Sequence, residues 1–359
     1  MNLNFGFDIE KSIEEVFDMQ KKLVRTMGYM LEMSDVKETE VDATPKDLVY
    51  TEDKMKLYHY KPVIKNPCST PVLIVYALVN KQYVVDIQQD RSMVKKMLEM
   101  GLDVYIIDWG YPTQEDKYLT MDDYIDRYIN NSVNYILEEN GIDEINLLGI
   151  CQGGTFSTIY STLYPEKIKN LITMVTPIDF STNDALLFRW GKHLNIDKMV
   201  DAYGILPGNM MNVSFNMLKP FQLTVDKYVG VLEHIDSKEK MKNFMHMEKW
   251  IYDSPDQAGE TLRQFVKDLY QDNKLIKGEL EINGKIVNLD NLDMPLLNVY
   301  AEYDHLVPPA ASKPLNDLVA SEDTTTYSFP VGHIGMFVSS KSQKEITPKI
   351  TDWILEHSE

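Results

Sequence analysis

Between residues 72 and 79 the chain reads Val-Leu-Ile-Val-Tyr-Ala-Leu-Val, an unbroken apolar run rich in β-branched side chains. Such a run predicts a central strand covered on both faces. Two shorter patterns, over 48–51 and 56–60, predict strands before it, and Asn66-Pro67 supplies the intervening turn. Strand and helix then alternate. A helix over 90–100 stops at Gly101, and a strand over 104–107 ends in Asp108-Trp109-Gly110. A helix over 120–139 opens on Thr120 with Asp123 three residues on, a capping arrangement. Strands over 145–148 and 171–175 flank a helix over 155–163. The alternation lapses over 176–292, a stretch with several Met, Phe, Trp and Tyr residues, a break at Leu206-Pro207-Gly208 and a helix over 247–265 interrupted at Ser254-Pro255. It resumes with a strand over 296–300, a helix over 310–319, a strand over 325–329 and a helix over 343–357.

Repeated strand–helix units of these lengths imply an α/β fold, a largely parallel sheet with helices on both faces. A lapse of more than a hundred residues inside that rhythm reads as an inserted cap. The expected division is therefore a catalytic core of residues 45–176 and 293–359 with a cap or lid of residues 177–292. Residues 1–44 form a separate segment. Ile9, Ile13, Phe17, Val24, Met27 and Leu31 recur there at helical spacing, so one or two amphipathic helices are expected, packed on the same chain or on a partner. The chain contains no internal repeat.

Composition narrows the function. Across 359 residues, 44% are apolar, and 36 basic against 55 acidic side chains leave a formal charge of −19. A core of that size excludes disorder, and the acidic balance argues against nucleic acid as a partner. An anionic small ligand stays possible, but its pocket must be locally basic against the overall field. Two cysteines, Cys68 and Cys151, cannot build a disulfide framework and suit a reducing compartment. The start MNLNFGFDIEKS lacks the basic and apolar regions of a secretory signal, and no apolar run approaches the roughly 20 residues that span a bilayer. A cytoplasmic, soluble protein is expected.

One motif carries chemistry. Gly149-Ile150-Cys151-Gln152-Gly153-Gly154 lies between a predicted strand and a predicted helix, the setting of a nucleophile elbow with cysteine as the nucleophile. The elbow's sharp turn needs small neighbours, which Gly149 and Gly153 provide. Cys151 would sit at a helix N-terminus, where the helix dipole favours a thiolate. The Gln152 N–H becomes one oxyanion donor, and the second is expected from the turn after the 72–79 strand, at Leu78 or preferably Val79. An α/β-hydrolase fold then places an acid and a histidine later in the chain, in that order. Asp304 follows the 296–300 strand, and His333 follows the 325–329 strand between two glycines. Three suitable residue types in the right order, each after its strand, identify the catalytic set Cys151, Asp304 and His333. His305 adjoins the acid and is expected either to line the pocket or to support the catalytic residues from behind. Cys68 has no partner motif, Asp108-Trp109-Gly110 reads chiefly as aromatic packing, and His193, His234, His246 and His357 lack metal-ligand spacing, so no metal is expected.

These residues resemble the polyhydroxyalkanoate synthases, specifically the catalytic subunit of the class III type. The box around Cys151, the segment Tyr76-Ala77-Leu78-Val79-Asn80-Lys81, residues 104–111, Met174-Val175-Thr176-Pro177 and residues 248–260 of the cap all look like this family. Asp304-His305-Leu306-Val307-Pro308-Pro309 and Gly332-His333-Ile334-Gly335 do as well. The similarity runs from about Pro45 to the end, and Ile150 and Gln152 point to class III rather than class IV. The resemblance implies a polymerase of short-chain (R)-3-hydroxyacyl-coenzyme A acting through Cys151, with coenzyme A as leaving group and no separate cofactor. It also implies homo- and hetero-oligomers with a second, non-catalytic, PhaE-like synthase subunit, and residence on polymer granules. Asp304 would orient His333 or assist a substrate hydroxyl directly. The readings set against it are a cysteine-dependent ester or thioester hydrolase of the same fold and an inactive granule-associated homologue.

Overall fold

The computed structural model describes residues 41–221 and 237–358. The amphipathic pattern over residues 1–40 lies outside the described residues. Eight strands form one sheet: β1 (Lys46–Glu52), β2 (Met55–Tyr60), β3 (Val72–Val75), β4 (Val104–Asp108), β5 (Ile145–Ile150), β6 (Ile168–Met174), β7 (Leu296–Ala301) and β8 (Thr324–Phe329). Their spatial order is β1-β2-β4-β3-β5-β6-β7-β8. β1 and β2 pair antiparallel and β2 joins β4 antiparallel, while every pairing from β4 to β8 is parallel. From β3 the chain steps outward to β4 and then returns to the other side of β3 as β5. Strand order therefore reverses at β3/β5, and a crevice opens there at the carboxyl ends of the strands.

Alternation within the central strands feeds two cores. Leu73, Val75 and Leu147 face one side with Tyr124, Ile125, Ile136, Phe156 and Ile159. Val72, Ile74, Leu148 and Ile150 face the other with Met93, Met97, Leu98, Phe337, Ile350 and Ile354. Local caps set the bounds of the first flanking helix. α1 (Met93–Met100) begins at Ser92, whose hydroxyl accepts from the Lys95 N–H at 2.9 Å, and ends at Gly101 with φ 109°. That cap shortens the helix expected from residue 90. The helix expected over 120–139 does open at Thr120, whose N–H donates to Asp123 at 2.8 Å. It runs through a π-helical stretch, Asp123–Ile129, into α2 (Asn130–Asn140). α3 (Gln152–Leu163) starts directly after Cys151.

Two expected elements are corrected. The apolar run over 72–79 is a strand only as far as Val75, because its later backbone groups turn to other partners. The Tyr76 carbonyl accepts the Trp109 indole N–H at 2.9 Å and the Leu78 N–H donates to Gln152 at 3.1 Å. The helix over 310–319 is two short turns, Pro309–Ser312 and Leu315–Leu318, separated at Pro314, which has no N–H to donate.

Between β6 and β7 the chain leaves the sheet. It forms α4 (Leu186–His193), α5 (Ile196–Tyr203), α6 (Gly208–Asn216), α7 (Lys238–Tyr252) and α8 (Gly259–Gln264), the last continuing as Phe265–Gln271. Ser254-Pro255 interrupts the helical pattern, and the short strands Ile205–Leu206 and Gln257–Ala258 pair antiparallel beside it. This excursion is joined to the core through aromatic rings. Phe156 of α3 lies 6.0 Å edge-on from Phe265 and 6.5 Å from Tyr124, and Phe180 lies 5.8 Å from Phe265. Phe156→Ala should therefore loosen both units, lowering stability by about 3–5 kcal/mol in a denaturant titration. Tyr303→Ala, at a residue 67% exposed, should stay within about 0.5 kcal/mol of the parent.

Candidate active site

Cys151 closes β5 and precedes α3 with φ 54° and ψ −124°, a conformation a side-chain-bearing residue rarely adopts. Its N–H is tied to the Met174 carbonyl of β6 at 2.9 Å. The turn is possible because its neighbours are small. A Cβ on Gly149 would lie 2.4 Å from the Gly154 Cα, and one on Gly153 would lie 2.2 Å from the Val75 carbonyl oxygen. The strained turn lifts the partly exposed thiol to the carboxyl edge of the sheet, at the start of a twelve-residue helix.

Asp304 and His333 follow the two strands beyond β6, and the fold brings both to Cys151. His333 Nδ1 lies 2.6 Å from Asp304 Oδ2. The other Asp304 oxygen accepts the N–H groups of Leu306 at 2.8 Å and Val307 at 2.9 Å, and none of its side chain is exposed. His333 is hydrogen-bonded to Cys151 on its far side. Burial disfavours charge on the imidazole, but the Asp304 carboxylate and the Cys151 sulfur outweigh it and push His333 up to about 10. The raised value favours a proton on the imidazole, beside the Asp304 carboxylate. Burial also raises the pKa of the Tyr76 and Tyr270 hydroxyls, which stay protonated. His305 is half-buried; burial lowers its pKa, and Lys219, within electrostatic reach, lowers it further.

A side chain that the sequence pattern does not reveal bears on the choice between the two candidate oxyanion donors, Leu78 and Val79. Leu78 N–H is taken by the Gln152 side-chain carbonyl at 3.1 Å. Val79, the next residue, has an N–H with no partner among the described residues, and the Gln152 N–H leads α3. The pair Gln152 and Val79 therefore remains free for a developing oxyanion. Gln152 thus has two parts, a backbone N–H at the start of α3 and a side chain bracing the opposite loop across 74 positions of sequence. Trp109 braces the same loop through Tyr76, more than the packing expected of it. Cys68, by contrast, sits in a loop with its N–H bonded to the Gly101 carbonyl, and His193, His246 and His357 lie apart from Cys151; His234 lies outside the described residues. No cluster of three or more metal-binding side chains occurs among the described residues.

The His333 proton makes a prediction with a defined sign. Folding raises the His333 pKa, so its stabilising contribution is full below the ordinary histidine value of about 6.5 and declines as pH rises through the folded value. The stability gap between the parent and Asp304→Asn should accordingly shrink between pH 6 and about 10, measured by denaturation midpoints. A gap that widens over that interval would contradict the charged assignment.

Comparison with known proteins places these features among relatives. The family described as alpha/beta hydrolase fold matches residues 70–340, and the family described as Poly-beta-hydroxybutyrate polymerase (PhaC) N-terminus matches residues 9–97. The chain is 52% identical over 350 residues to the poly(3-hydroxyalkanoate) polymerase subunit PhaC of Thiocystis violacea, covering 97% of this chain and 98% of that one. It is 50% identical over 356 residues to the protein of the same name from Allochromatium vinosum, covering 98% and 99% respectively. Among solved structures, the monoacylglycerol lipase of Paleococcus ferrophilus superposes with a TM-score of 0.55 at 17% identity, over 84% of this chain and 99% of the lipase, a likeness of fold.

Proposed function

The chain belongs to the family of poly(3-hydroxyalkanoate) polymerase PhaC subunits, and from that premise we propose that it polymerises (R)-3-hydroxyacyl-coenzyme A, chiefly 3-hydroxybutyryl, through a thioester on Cys151. It is an acyltransferase on an α/β-hydrolase fold. The observation that carries the covalent mechanism is geometric: Cys151 sits in a positive-φ turn between β5 and α3, and His333, held by Asp304 at 2.6 Å, interacts with its sulfur.

With a proton on the imidazole, the Cys151 sulfur attacks the thioester carbonyl as an anion. The tetrahedral oxyanion is received by the Gln152 and Val79 N–H groups. Collapse expels coenzyme A, whose sulfur takes the His333 proton, and leaves the acyl group on Cys151. His333, now neutral, accepts the proton of the hydroxyl on a second hydroxyacyl unit or chain end as that oxygen attacks the acyl-cysteine. An ester bond forms, the Cys151 sulfur leaves, and the proton is back on His333. Thioester exchange between two sulfurs is nearly isoenergetic, so the acyl group stays activated for the next transfer. A serine ester would be a deeper trap. Both Asp304 oxygens are committed, one to two backbone N–H groups and one to His333, which supports orientation of the histidine rather than direct contact with substrate. Coenzyme A is product here, so the reaction as written requires no further cofactor or metal.

The relatives' names call them subunits, which supports assembly into an oligomer; a second, non-catalytic, PhaE-like subunit and a polymer granule as its seat belong to the proposal. No helix among the described residues is long and apolar enough to cross a membrane. The proposal is tested by incubating the chain, with and without such a subunit, with 3-hydroxybutyryl-coenzyme A and following free thiol and insoluble polyester together. Thiol release with polymer supports it; thiol release with only free hydroxyacid would make the chain a hydrolase. Cys151→Ser should lower polymer formation by about a hundredfold or more while leaving the melting temperature near the parent's. Parental rates in that variant would contradict the thioester carrier.

A further inference from the structure

The loop that supplies Val79 is gripped from the cap. Gln257 is 4% exposed, and its side-chain amide donates to the Leu78 carbonyl at 3.0 Å. The same nitrogen lies 3.1 Å from the Pro255 carbonyl and 3.4 Å from that of Asp256, so only its N–H₂ end fits the site. Leu78 C=O and Val79 N–H belong to one peptide group. A trans peptide is planar and points these two bonds in opposite directions. Whatever holds the Leu78 carbonyl therefore aims the Val79 N–H. The preceding peptide is fixed as well, because Leu78 N–H is bonded to Gln152.

Gln257 is in turn held by its own surroundings. It pairs with Leu206 in the short cap strand, and the residues just before it dock on the same loop. The Trp250 indole donates to the Lys81 carbonyl at 2.7 Å, Asn80 reaches Ser254 at 2.6 Å, and Tyr83 donates to Asp253 at 2.9 Å. Displacing this part of the cap would withdraw the Gln257 amide from Leu78.

We infer that Gln257 is a positioning residue for the oxyanion site: the cap, through its amide, orients the Leu78–Val79 peptide so that the Val79 N–H faces the carbonyl attacked by Cys151. This rests on the proposed acyl transfer at Cys151 and adds to it a dependence of the chemistry on a seated cap. With the cap displaced, the thiol and histidine remain while the oxyanion site loses its aim. An acyl-enzyme open to water is then in a poorer geometry for hydrolysis than one beneath a closed cap.

Two reactions of the same sulfur separate this role from general damage. Acylation by a thioester passes through an oxyanion, whereas alkylation by iodoacetamide displaces iodide without one. In the full chain, Gln257→Ala and the similarly sized Gln257→Met are expected to slow single-turnover coenzyme A release from 3-hydroxybutyryl-coenzyme A by about 10- to 100-fold. Alkylation of Cys151, read by peptide mass spectrometry to distinguish it from Cys68, is expected to keep the parental rate. Parental acylation in both variants would overturn the inference alone. An equal fall in acylation and alkylation would assign Gln257 a purely structural role and overturn it too. A parent chain alkylated at Cys151 yet never acylated would overturn the proposed function, and this inference with it.

Discussion

Cys151 occupies a backbone conformation with φ 54°, between a strand and a helix that nearly touch, and the rest of the site is arranged around that strain. A residue forced into such a turn cannot relax into the strand or into the helix. Its side chain is therefore delivered to one place, at the edge where β3 and β5 part. The constraint is met by absent atoms as much as by present ones: Gly149 and Gly153 leave the space into which Gly154 and the Val75 carbonyl fit. Buried strands on either side supply the rigidity that sustains it, since all six residues of β5 are buried.

Around this fixed sulfur, charge is organised locally against a chain of net charge −19. The His333 pKa is raised because Asp304 and the Cys151 sulfur outweigh the penalty of burial, and Asp304 is itself satisfied by two backbone N–H groups. Of the expected basic surroundings, Lys219 stands in electrostatic reach of His305. In the proposed mechanism, positive potential at the sulfur comes from the protonated imidazole, the helix start and the proposed oxyanion N–H groups. Aromatic residues of the excursion between β6 and β7 pack together here: the Tyr270 ring contacts Phe180 and Phe188 at 4.9 and 5.2 Å and lies in electrostatic reach of Cys151. The proposed thioester intermediate needs such cover if it is to meet a hydroxyl before it meets water.

Much of this was legible in the sequence because it depends on local rules. The order of strands and helices follows from apolar runs and from Gly101, Thr120 and Asp123, whose capping roles act over a few residues. The catalytic set is legible because each member follows directly after a strand of the parallel sheet, so sequence position encodes spatial position. What was not legible is set by contacts between distant segments. The strand over 72–79 ends early because Trp109 and Gln152 claim its backbone groups, and neither claim has a signature in the run itself. The Gln152 side chain and Gln257 act on Leu78 from 74 and 179 positions away. Amphipathic spacing in the first forty residues shows a face and leaves its covering unassigned.

The central claim, that Cys151 carries the growing acyl group as a thioester, is tested most directly by acid-quenching the chain within its first turnovers with 3-hydroxybutyryl-coenzyme A and weighing the Cys151 peptide. The account predicts hydroxybutyryl units added to that peptide, released by neutral hydroxylamine and absent from Cys151→Ala. Coenzyme A released at full rate while the Cys151 peptide keeps its unmodified mass would contradict it.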